Sequence, residues 1–143
     1  MTSIISRKPF CSSMFIVFLP LVVLIIWGIL IKLFGVRTLE ENNFDSIAHG
    51  FGGLSVCLSS AGVLWHLVRR EMILLQDEKV FRCLVFGFLC FVVIGWEILE
   101  YIIFYPFELL TYADTISDMI CGLIGGLFAM LFFRKPVLGK NAS

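Results

Sequence analysis

The chain has 143 residues, of which 59% are hydrophobic, 15% aromatic and only 15% charged, with a mean hydropathy of +0.99. A soluble domain needs about a quarter of its residues charged to cover its surface, so this composition excludes one and predicts a membrane protein. Eleven Lys and Arg balance eleven Asp and Glu, which removes the basic excess expected of a nucleic-acid binder.

Four apolar stretches, at 14–34, 44–68, 80–104 and 113–133, each approach the roughly 20 residues a helix needs to cross a bilayer core. The first has a basic start, as a signal peptide does. Its apolar run is too long for one and no small-residue cleavage site follows it, so it reads as an anchor, and Pro20 within it predicts a kink. The connectors 35–43, 69–79 and 105–112 are short, so consecutive helices run antiparallel and pack as neighbours. None of the stretches alternates as a barrel strand does, which leaves helices as the spanning structure. The expected fold is all-α, a membrane-embedded antiparallel four-helix bundle forming a single integral membrane domain over residues 1–143.

Orientation follows from sorting the cations, because cytoplasmic flanks retain Lys and Arg. Arg7, Lys8, Arg69, Arg70, Lys79, Arg82, Arg134, Lys135 and Lys140 fall on the side holding both termini, and only Lys32 and Arg37 on the other. That distribution predicts cytoplasmic termini and a multi-pass protein of the bacterial inner membrane. Cys11, Cys57, Cys83, Cys90 and Cys121 lack paired spacing, so they read as small apolar packing residues and not as a disulfide or zinc framework.

The carboxylates sort the opposite way. Glu71, Asp77 and Glu78 fall on the terminal side, whereas Glu40, Glu41, Asp45, Glu97, Glu100, Glu108, Asp114 and Asp118 lie toward the outer side. Five of these eight fall inside or at the mouths of helices, where an ionised carboxylate costs a few kcal/mol or more and marks function. Asp45 and His49 are four apart at the start of the second helix, Glu97 and Glu100 three apart at the end of the third, and Asp114 and Asp118 four apart at the start of the fourth. Each pair shares a helix face. Because the chain reverses at every helix, all six side chains reach one membrane level. Five carboxylates gathered there must share protons, pair with cations or hold a metal. Lys32, one turn from the end of the first helix, has the depth to pair with Glu97 or Glu100.

Small residues continue the same faces inward, with Gly52, Gly53 and Val56 below His49, and Cys121, Gly122, Gly125 and Gly126 below Asp118. Such spacing lets helix backbones approach closely. Plainer readings exist for each feature. Asp45 suits a helix N-terminus and Asp114 an N-cap, and Glu100 can snorkel to water. Glu97 stands about 21 Å along the helix from Cys83, short of the outer surface. Trp96, Tyr101, Phe104, Tyr105, Phe107 and Tyr112 suit an interfacial aromatic belt better than a ligand platform. His66 has no assigned role.

Three blocks, FDSIAHGFGGL, WEILEY and DTISDMICGLIGG, resemble those of the YjdF-like family of small, uncharacterised bacterial inner-membrane proteins, and more distantly the VanZ-like family, which is associated with glycopeptide-antibiotic resistance. The resemblance covers the last three helices, about 44–126, and implies a membrane fold more than a mechanism.

Two site-based functions and one structural function follow. In the first, Asp45, His49, Glu97, Glu100 and Asp118 form a polar site near the outer face that binds or processes a lipid-linked or cell-envelope ligand in contact with membrane lipid. A divalent metal ion is its candidate cofactor, with His49, Glu97, Asp114 and Asp118 as ligands and Lys32 as charge partner. In the second, the cluster is the site of a proton- or cation-coupled transporter. In the third, it is a structural network in a non-catalytic accessory membrane subunit.

Overall fold

The computed structural model describes residues 14–35, 44–75, 77–104 and 112–131. A short 3-10 turn, Met14–Phe18, leads into α1 (Leu19–Phe34), followed by α2 (Phe44–Arg69), α3 (Glu78–Phe104) and α4 (Tyr112–Leu131). All four helices are long and apolar enough to cross a membrane, and no strand occurs among the described residues. The all-helical, four-span architecture is as the composition predicts. Arg7, Lys8, Cys11, Arg37, Glu40, Glu41, Tyr105, Phe107, Glu108, Arg134, Lys135 and Lys140 lie outside the described residues.

Local chemistry sets the helix ends. Pro20 occupies the first turn of α1, where the missing N–H would have had no partner, so it marks the change from 3-10 to α geometry instead of kinking a helix interior. Proline has no N–H to give to the carbonyl three residues back, that of Val17, and the Ser59 hydroxyl of α2 donates to that carbonyl at 3.0 Å. At the far end of α2, Glu71 takes a positive φ of 58°. The Met72 amide then donates to Leu67 and the Glu71 amide to Val68, each at 3.1 Å, which closes the helix with a Schellman motif. α3 starts two residues before the apolar run because Asp77 caps it, accepting from the Lys79 amide at 2.8 Å.

The tightest helix pair is not consecutive in sequence. α2 and α4, parallel to one another, share the most extensive contact in the bundle. A Cβ on Gly53 would overlap the Gly122 carbonyl, and one on Gly125 would overlap the Gly50 carbonyl, so the two backbones touch where only glycine leaves room. α3 closes over this seam, with Val85, Leu89 and Val93 against Cys57, Ala61 and Ala129 in one buried cluster. α1 differs from the rest. It packs on α2 alone among the helices and buries no residue.

Candidate functional site

The start of α2, the end of α3 and the start of α4 converge at one end of the bundle, and His49 is the hub. Its Nδ1 lies 3.4 Å from Glu97 Oε1. On its other edge, Nε2 lies 3.7 Å from Asp45 Oδ1, 3.7 Å from Glu100 Oε2 and 4.0 Å from Asp118 Oδ2. Four carboxylates from three helices therefore stand within 4.0 Å of one imidazole. The local cause is the spacing: Asp45 and His49 stack one turn apart on α2, while Glu97 and Glu100 share a face of α3. The Gly50–Gly125 and Gly53–Gly122 contacts then bring the α4 carboxylates up to the α2 imidazole.

Burial separates the members. Asp118 is 4% exposed and Glu97 9%, Asp45 and Glu100 are half-buried and Asp114 is exposed. Glu97 Oε1 is buried without a hydrogen-bond partner, since His49 Nδ1 is close but outside hydrogen-bonding geometry. A carboxylate oxygen buried without a donor costs roughly 1–3 kcal/mol, more when charged. Asp118 is better provided for: the Ser46 hydroxyl donates to its Oδ1 at 2.9 Å.

Ligand atoms within 4.8 Å of one another form two groups, Asp45 with His49 and Glu100, and Asp45 with Asp114 and Asp118. Asp45 links them. The set of His49, Glu97, Asp114 and Asp118 expected from the sequence thus divides, because Glu97 approaches the Nδ1 edge of the ring and Asp118 the Nε2 edge, with Asp114 grouped with Asp45 and Asp118. Asp114 lies inside the first turn of α4, not at its cap. Lys32 is exposed in the last turn of α1, and no ion pair joins it to a carboxylate among the described residues. His66 is exposed and away from the cluster.

Ser46 is a member that the sequence reading left out. It sits three residues before His49, on the same helix face, and that spacing was the available signal. The second omission is a cavity of about 170 Å³ beneath His49, bounded by α1, α2 and α3 and reaching Gly122 of α4. Trp96 lines it and so has a place beyond an aromatic belt, whereas Tyr101 and Tyr112 are exposed.

The model of a family described as predicted membrane protein, DUF2238, matches residues 7–136. The chain belongs to that family. No curated protein and no solved structure matches it. In this DUF2238 member the match takes in all three polar blocks and all four candidate spans.

Proposed function

We propose that this DUF2238 protein binds the polar end of a membrane-embedded ligand, a lipid or lipid-linked envelope precursor, at the His49 cluster, with a divalent cation bridging ligand and carboxylates. The observation that carries this reading is the convergence of ligand atoms from Asp45, His49 and Glu100, and from Asp45, Asp114 and Asp118, each set within 4.8 Å, beside a Glu97 Oε1 that is buried without a donor. So many carboxylates gathered at this depth call for shared protons or a cation. Carboxylate oxygens with one imidazole suit Mg²⁺, Mn²⁺ or Zn²⁺. Asp45, His49 and Glu100 are the first ligand set, with Asp114 and Asp118 across the shared Asp45. A cation held by these residues would supply Lewis-acid chemistry, polarising a phosphoryl or carbonyl oxygen or lowering the pKa of a bound water.

The excess of Lys and Arg on the side that holds both termini supports cytoplasmic termini, which set the cluster toward the outer face of a bacterial inner membrane. The three sequence blocks support kinship with the YjdF-like proteins, and more remotely with VanZ-like ones. Transport is the weaker reading, because beyond the cluster the buried side chains among the described residues are apolar, as at Cys57, Ala61, Val85, Leu89 and Ala129, with Ser55 as the polar exception, which makes no continuous polar path. A purely structural network would satisfy its own buried atoms, and Glu97 Oε1 does not.

The test is Mn²⁺ titration of purified, metal-stripped protein by electron paramagnetic resonance. The wild type should bind about one ion per chain, since the two ligand groups share Asp45. Glu100→Gln and His49→Ala should weaken binding while helicity is unchanged. A wild type that binds no Mn²⁺, Mg²⁺ or Zn²⁺ overturns the cation.

A further inference from the structure

The cavity beneath His49 has two apolar walls, each with a tryptophan, and a bare floor. Val23, Leu24 and Trp27 of α1 form one wall, and Val93 and Trp96 of α3 the other, with Gly52 of α2 between them. The backbones of α1 and α3 do not approach each other, so the space between them is a lateral cleft in the bundle. It lies within the candidate membrane spans, where the surrounding medium is hydrocarbon.

Water is a poor occupant. A buried water needs two to four polar partners. Four lining side chains, His49, Ser55 and two indoles, carry polar atoms and the rest of the wall is apolar, so water cannot find such partners along most of the cavity, and the Ser55 hydroxyl already donates to the Gly52 carbonyl at 2.7 Å. A volume of about 170 Å³ slightly exceeds the roughly 150 Å³ of an apolar cavity that holds benzene. It therefore takes about six carbons of a chain. Gly52 keeps that room open: a Cβ built on it meets nothing within 4 Å, unlike its neighbour Gly53, which is pressed against α4.

We propose that the α1–α3 cleft seats one hydrocarbon chain of a membrane lipid, entering sideways between the two helices, with its polar end delivered to His49. The cleft runs inward from His49 to the level of Val56, about 10 Å along α2, so a chain lying in it continues from the polar cluster toward the bilayer interior. This proposal rests on the reading of the cluster as the seat of that ligand's polar end, and it names the apolar part of the same ligand.

The experiment is photolabelling in nanodiscs containing a trace of phospholipid with a diazirine in one acyl chain, the adducts being mapped by peptide mass spectrometry. Labelling at Trp27, Val93 and Trp96 should exceed labelling at the exposed Ile25, Ile94 and Ile98 several-fold. Gly52→Leu should fill the cleft and bring the first group down to the level of the second, while leaving Mn²⁺ affinity unchanged. Equal labelling of the two groups in the wild type, or cleft labelling indifferent to Gly52→Leu, overturns the proposal. So does a disulfide-linked homodimer formed by Trp27→Cys with cleft labelling absent, which seats a second copy there. Cleft labelling in a wild type that binds no divalent ion refutes the bridging cation and supports the cleft.

Discussion

The α2–α4 seam and the α1–α2 contact are both helix pairs in the same membrane, yet they are built on opposite terms. Along the seam, Gly53 meets Gly122 and Gly125 meets Gly50 with no room for a Cβ. Along α1, no residue is buried, and a Cβ on Gly28 meets nothing within 4 Å. Lipid tails are as apolar as leucine, so burying an apolar side chain gains little in a bilayer and close backbone packing gains more. The seam has that packing and fixes the His49 cluster; α1 lacks it and leaves a cleft beside the cluster. Rigidity and access are thus assigned to different helices.

The contrast breaks most visibly at the glycines. Gly53→Val drives two methyl groups into the α4 backbone and should destabilise the protein by about 3 kcal/mol or more, read as a lowered midpoint of thermal or SDS unfolding. Leu89→Ala comes next. Leu89 is fully buried over Gly126, and its truncation should cost about 2–3 kcal/mol by the same measurement. Ser46→Ala tests the cluster without opening the seam: it removes the hydroxyl that orients Asp118 and should weaken Mn²⁺ binding by about tenfold at near-unchanged unfolding midpoint. On α1, Gly28→Ala and Ile25→Ala should each stay within about 0.5 kcal/mol of wild type. A loss at Gly28 equal to that at Gly53 would erase the distinction between the two contacts.

Much of the site was legible in the sequence because its pairs are local. Asp45 with His49, Glu97 with Glu100, and Asp114 with Asp118 lie one turn apart, and helical periodicity places each pair on one face whatever surrounds it. Chain reversal then places the three pairs at one level. Rotation of each helix about its own axis is not local information. Gly52 and Gly53 are adjacent in sequence, yet one opens onto the cleft and the other presses on α4, and Glu97 meets the opposite edge of the His49 ring from its neighbours.

By itself, then, the sequence determined four membrane-spanning helices, a carboxylate and histidine level at one end, and small residues beneath it, since composition, length and a 3.6-residue period settle such features. Only the tertiary structure decided that α2 pairs most closely with the non-consecutive α4, that Ser46 supports Asp118 while no ion pair joins Lys32 to Glu97 or Glu100 among the described residues, and that α1 stands off from α3 to leave an apolar cleft under His49. Those outcomes depend on where backbones can touch, a property of two helix surfaces together that neither helix encodes alone.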